Sequence, residues 1–207
     1  MSRRPRVGFA FPVAIAPILL AILAGCAAVS TRQSPALPPA LSSTENAPKT
    51  EFAIDGRIAV RKGENAFAGS FRWRHDLYSD EIDLTSPLGQ TVARLTRAAD
   101  GIHFAAADGR AAVAPNWESL TERELGWPLP VSGLVRWMQG AADPDSPYEM
   151  AADELGRPRE LRQFGWTILY LAYDPQDRPT RLRLSRDELD LRLVVDSWQA
   201  TDTLRSQ

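Results

Sequence analysis

The sequence predicts a mainly β, α+β fold: an open, strongly curved antiparallel sheet of about eleven strands, with a lid of short helices. Three observations lead there. Apolar and polar residues alternate through most of the stretch from Phe52 to Trp198, and turn signals punctuate them at short intervals. Two short apolar segments in mid-sequence have helical spacing instead. A sheet of that many strands curls, and helices too short to stand alone must lie against it.

The alternation begins with Phe52, Ile54, Gly56, Ile58 and Val60 on one parity and Asp55, Arg57 and Arg61 on the other. After a turn at Lys62-Gly63-Glu64-Asn65 it resumes with Phe67, Gly69, Phe71 and Trp73 against Ser70, Arg72 and Arg74, which makes an antiparallel hairpin. Shorter strands are predicted at 81–85, 91–97, 101–106 and 110–114, with Asp100-Gly101 and Asp108-Gly109 as turns. Asn116 is an N-cap for a helix over 117–125, and Gly126 occupies its stop position. Pro128 and Pro130 separate it from a second helix over 131–139 that ends at Gly140. Beyond the loop Asp143-Pro144-Asp145-Ser146-Pro147, strands are predicted at 148–152, 160–164, 167–173, 180–185 and 189–198.

The first fifty residues follow other rules. A basic start (Arg3, Arg4, Arg6), an apolar stretch and small residues before Cys26 form a secretory signal peptide over 1–25. An uncleaved transmembrane helix fits less well: the stretch is at the short end for a bilayer, Pro12 and Pro17 interrupt it, and basic residues flank one side only. Leu23-Ala24-Gly25-Cys26 resembles the lipobox of bacterial lipoproteins, which implies diacylglycerol on the Cys26 thiol and an acyl group on the new amino terminus. By the same resemblance, Ala27 in place of an inner-membrane retention Asp permits export to the outer membrane, lipid-anchored and facing the periplasm. Pro35, Pro38, Pro39 and Pro48 among Ser, Thr and Ala make 26–50 a flexible tether. A folded domain over 51–200 and a short tail, 201–207, complete the chain.

Composition excludes several classes. With 24 basic and 26 acidic residues and no long single-sign block, nothing suggests a nucleic-acid partner. Cys26 is the only cysteine, so neither a disulfide nor a cysteine metal site forms within the chain. His75 and His103 are the only histidines, and no His-Glu-x-x-His pattern, nucleophile elbow, phosphate loop or dinucleotide glycine pattern is present. Asp80, Glu81 and Asp83 offer a carboxylate cluster, but Glu81 and Asp83 share the polar parity of a strand and read as a solvated face. The expectation is a protein that is not an enzyme, with neither metal nor cofactor beyond the lipid on Cys26, and a monomer.

Two features remain open. Six tryptophans (Trp73, Trp117, Trp127, Trp137, Trp166, Trp198) fall on predicted strands, both helices and the loop between them; they form either a plain core or the walls of an apolar cavity. Ser86-Pro87-Leu88-Gly89 has the Pro and Gly positions of a type I turn with Leu88 at its tip. One exposed leucine needs no explanation, but on a tethered protein it is also a candidate to dip into a bilayer.

Taken in order, the lipobox, Gly56-Arg57-Ile58-Ala59-Val60, Phe71-x-Trp73, Ser86-Pro87-Leu88-Gly89, Leu129-Pro130 followed by Leu134-x-x-Trp137-x-x-Gly140, Trp166 with Tyr170 and Tyr173, and the closing Trp198 resemble the LolB family of outer-membrane lipoprotein receptors. The resemblance implies an eleven-stranded, half-open antiparallel barrel with a lid of short helices over an apolar cavity. It also implies a receptor that takes acylated lipoproteins from the periplasmic carrier LolA and inserts them into the inner leaflet of the outer membrane, with phospholipid as a further partner. On that pattern Pro87, Leu88 and Gly89 form the membrane-insertion loop. The acyl-chain cavity falls to Ile58, Phe71, Trp73, Trp117, Leu134, Trp137, Trp166, Ile168, Leu182 and Leu184. A structural lipoprotein or envelope-complex subunit with no acyl-chain binding is the competing reading; a lipoprotein hydrolase depending on His75 or His103 is a third.

Overall fold

The computed structural model describes Lys49 and residues 51–199. The expected signal peptide, Cys26, the tail 201–207 and all of the tether except Lys49 lie outside the described residues. The elements are β1 (Phe52–Lys62), β2 (Asn65–His75), β3 (Asp80–Thr85), β4 (Thr91–Ala98), β5 (Gly101–Ala106), β6 (Ala111–Ala114), α1 (Trp117–Leu125), α2 (Val131–Trp137), β7 (Tyr148–Ala152), β8 (Pro158–Gln163), β9 (Trp166–Tyr173), β10 (Pro179–Arg186) and β11 (Leu189–Gln199). Eleven strands form one antiparallel sheet in the order β6-β5-β4-β3-β2-β1-β11-β10-β9-β8-β7.

That order has two consequences. The first and last strands meet at the centre, where β1 pairs with β11, while the two free edges are the four-residue β6 and the five-residue β7. Short edges offer little template for pairing with other chains. Both helices lie in sequence between the two edge strands, so the helical segment departs from one edge and returns at the other. The sheet is open, and the lid is the connection between its edges.

The parity read from the sequence separates the two faces. Residues 58, 60, 71, 73, 82, 84, 93, 95, 102 and 104 are buried, as are 161, 166, 168, 182, 184, 191 and 193. Outward residues pair across strands, as in Arg57–Asp196 at 2.8 Å, Arg72–Asp55 at 2.8 Å and Arg94–Asp83 at 2.6 Å. Such exposed pairs contribute little stability, so burial on the concave side holds the fold.

One irregularity matters. Asp55 pairs with Ser197 but Gly56 pairs with Val195, so Asp196 is an extra residue in β11. The bulge shifts parity and turns Trp198 toward the buried side, opposite the fully buried Ile54. A Cβ on Gly56 would collide with the Val194 carbonyl oxygen and the Phe71 ring, so glycine is required at this approach.

Strand limits depart from the predicted ones by a residue or two, as at β2, which extends to Asn65 and His75. Helix α1 begins and ends where expected: the Asn116 side chain accepts from the Ser119 N–H at 2.9 Å, and Gly126 closes the helix in the left-handed conformation. Helix α2 is shorter than the predicted 131–139, because the chain tightens after Trp137, with Gln139 N–H bonding Arg136 O and Gly140 N–H bonding Trp137 O. Three-residue bonding of this kind ends the last turn before Gly140.

Candidate functional site

An apolar hollow lies between the lid and the middle of the sheet. Ile58 of β1, Phe71 and Trp73 of β2, Ile82 and Leu84 of β3 and Leu193 of β11 form one wall; Leu129, Val131, Leu134 and Met138 form the other. Every lining side chain is apolar apart from the indole nitrogen of Trp73. The hollow holds only about 20 Å³, room for about one water molecule. Any apolar guest much larger than water fits only if the lid moves away from the sheet.

The lid is held by packing and by a few buried hydrogen bonds. Val131, Gly133, Leu134 and Trp137 of the seven-residue α2 are buried, and that face supplies the stability a helix this short lacks by itself. Two buried polar groups hold the lid, and a third braces the sheet wall beneath it. Thr121 Oγ1 donates to Trp117 O at 2.9 Å and accepts from Leu129 N–H at 2.7 Å, joining α1 to the segment before α2. Gln163, at the end of β8, accepts from Trp137 Nε1 at 3.0 Å and from Asp143 N–H at 2.9 Å. Its Nε2 donates to Asp143 O at 2.8 Å. The third group is Asp80, in the sheet wall, which accepts from Trp73 Nε1 at 2.9 Å and Arg97 Nε at 2.6 Å and lies 2.7 Å from His75 Nδ1. These bonds fix the Trp73 ring in the cavity wall.

The sequence-predicted cavity residues divide in two. Ile58, Phe71, Trp73 and Leu134 line the hollow. Trp117, Trp137, Trp166, Ile168, Leu182 and Leu184 are buried in the same continuous core but away from its walls. Trp137 and Trp166 face each other from lid and sheet with ring centres 6.5 Å apart, and Trp127 stacks on Phe67 at 6.4 Å. Ile82, Leu84, Leu129, Val131, Met138 and Leu193 line the hollow and were not singled out from the sequence. The strand members share the parity of their neighbours, but that parity marks a buried face without distinguishing the residues beside a void.

The predicted loop leaves the end of β3 and points away from the start of β1. Gly89 N–H bonds Ser86 O at 2.9 Å, Gly89 has φ of 80°, and Leu88 is 86% exposed. The two histidines are apart in role: His75 belongs to the Asp80 group, and His103 Nε2 lies 2.8 Å from Asp100 on the surface. Glu81 and Asp83 face outward, bound by Arg74 at 2.9 Å and Arg94 at 2.6 Å. Asp80 sits on the opposite parity, 3% exposed, a difference that the carboxylate run did not reveal. Among the described residues, no group of three or more His, Cys, Asp or Glu side chains is placed to hold a metal ion.

Comparison with known proteins places the chain. The family described as outer membrane lipoprotein LolB matches residues 50–198. The outer-membrane lipoprotein LolB of Thiobacillus denitrificans is 38% identical over 178 residues, covering 86% of this chain and 92% of the relative. That of Nitrosomonas europaea is 34% identical over 189 residues, covering 87% and 89%. Among solved structures, a LolA superfamily protein from Nitrosomonas europaea aligns at a TM-score of 0.48 and 10% identity, covering 78% of this chain and 92% of that one.

Proposed function

We propose, from the premise that the chain belongs to the outer membrane lipoprotein LolB family, that it is a non-catalytic, outer-membrane-anchored receptor facing the periplasm. It accepts acylated lipoproteins from the carrier LolA and delivers them to the inner leaflet. The observation that carries this reading is the apolar hollow between a lid and an open sheet.

Energetics require such a hollow. Exposing each acyl CH₂ to water costs about 0.8 kcal/mol, so releasing a triacylated cargo with roughly fourteen methylenes per chain costs on the order of 30 kcal/mol. Free diffusion is excluded, and the chains must pass from cavity to cavity and then to bilayer. The chain carries no nucleotide-binding motif, so direction comes from differential affinity: tighter than the carrier, weaker than the membrane.

Lipidated Cys26 holds the receptor at its destination and Leu88 meets the leaflet. The loop leaves β3 at Thr85, which pairs with Ser70 and through it with Arg57, about 17 Å along β1 from Phe52, and it points away from the start of that strand. A tether of about 25 residues reaches up to ~80 Å when extended, so an anchor before β1 lets the loop face the bilayer.

The test is capture. The Cys26→Ala chain, mixed with a radiolabelled triacylated lipoprotein, should co-purify with it and pass it to liposomes. A folded protein that captures none is instead a structural lipoprotein or complex subunit.

A further inference from the structure

Two buried donors on the concave face have no hydrogen-bond partner among the described residues: the hydroxyl of Tyr170 and the indole Nε1 of Trp198. An unpaired polar group inside a protein is costly and calls for a reason. The neighbours offer none. Tyr170 stacks on Tyr173 with ring centres 6.3 Å apart, but the Tyr173 hydroxyl is committed to Pro158 O. Trp198 lies against Phe52 at 5.9 Å and under the Arg178 guanidinium at 5.7 Å, and neither accepts a hydrogen bond.

Both groups end cross-strand rows that begin at the wall of the hollow. Tyr170 pairs with Leu182, Leu182 with Leu193, and Leu193 with Ile58, the last two being wall residues. Trp198 pairs with Ile54, and Ile54 with the wall residue Trp73; Phe52 contacts both indoles, at 5.0 Å from Trp73. Trp198 reaches this side only through the bulge at Asp196. A lid movement that widens the hollow along the sheet therefore extends it toward two ready donors.

We infer that Tyr170 and Trp198 form a polar subsite of the acyl cavity, donating hydrogen bonds to the ester or amide carbonyl oxygens of a bound acyl group. The inference rests on the receptor reading and adds to it how the head of the cargo lipid is recognised. Both groups are donors and a carbonyl is an acceptor only, so they match in an otherwise dry site. Burial raises the pKa of Tyr170, which keeps its O–H a donor across the accessible pH range. Hydrocarbon alone satisfies neither group, so the subsite reads where the acyl chains join the head and fixes how deep they lie.

The experiment uses the Cys26→Ala full chain and two probes: a synthetic triacylated lipopeptide, and its analogue with ether and alkyl links in place of ester and amide. The unsubstituted site should bind the carbonyl-bearing probe roughly five-fold more tightly per hydrogen bond, the worth of an ordinary bond of about 1 kcal/mol. Tyr170→Phe and Trp198→Phe should each remove that margin while leaving affinity for the ether probe unchanged. Equal affinity of the unsubstituted site for both probes overturns the inference and leaves the receptor reading intact; binding of neither probe overturns both. Retention of the margin in both variants also overturns the inference. Ester carbonyls occur in membrane phospholipid as well, so a dilute short-chain diacyl phospholipid serves as competitor. Competition that vanishes in Tyr170→Phe assigns the donors to phospholipid esters too, and its absence reserves them for cargo.

Discussion

Gln163 Oε1 accepts a hydrogen bond from Trp137 Nε1 at 3.0 Å, joining the lid helix to β8 through a buried amide 3% exposed. The same oxygen takes the Asp143 N–H, so one side chain latches both α2 and the chain that leaves it. Replacing it with leucine, Gln163→Leu, leaves two donors without an acceptor, at about 1–3 kcal/mol each. The expected result is a lower unfolding midpoint together with faster uptake of a fluorescent acyl probe in stopped flow. An unstable variant with unaltered uptake would show that this latch does not gate the hollow.

Gly133 sits within α2, where alanine ordinarily adds about 1 kcal/mol. Here the added Cβ would lie 2.5 Å from the Trp137 ring. Gly133→Ala should therefore destabilise by about 1–3 kcal/mol, through overpacking, and quench or shift tryptophan emission as the ring is displaced. Higher stability on urea titration would refute this account of the packing.

Leu88 is 86% exposed at a turn whose backbone bonds involve Ser86, Gly89 and Gln90 rather than its side chain. Leu88→Glu should change stability by no more than about 0.5 kcal/mol and keep cargo capture, yet lose transfer of radiolabelled cargo to liposomes. Loss of capture along with transfer would mean that the loop acts on the cavity, not the membrane.

Alkaline stability reports on Tyr170. Its folded pKa is raised by burial above the ordinary value near 10. Above that pH the unfolded chain holds fewer protons than the folded one, so stability is intact below about pH 10 and falls as pH rises, by about 1.4 kcal/mol per unit for one such group. Burial shifts Tyr173 in the same direction. Urea midpoints should stay level up to about pH 9.5 and drop beyond it, less steeply in Tyr170→Phe. A profile level through pH 11 would contradict the burial.

Much of the fold was legible because its causes are local. Alternation between Ile58, Val60 and the arginines around them depends only on which side of one strand faces water, and the Asn116 cap and Gly126 stop depend only on adjacent backbone. Helix α2 was overextended because Met138 and Gln139 continue an apolar, helix-forming run, while the chain tightens to return toward β8. Of the site, the Leu88 tip was readable from Pro87 and Gly89. The cavity walls were partly readable, since Leu182 and Leu193 pair on the same buried face but only Leu193 borders the hollow.

By itself the sequence determined which residues turn inward, about where each element lies, and a family resemblance that the comparisons bear out. Tertiary structure alone decided what those inward residues meet. The pairing of β1 with β11, the latch of Gln163 on Trp137, the turning of Trp198 by the bulge and the isolation of the Tyr170 hydroxyl all join residues distant in the chain. The physical reason is range: a strand's two-residue period is fixed by its own backbone, whereas the shape of a void and the partners of a buried donor depend on how separate elements close over one another.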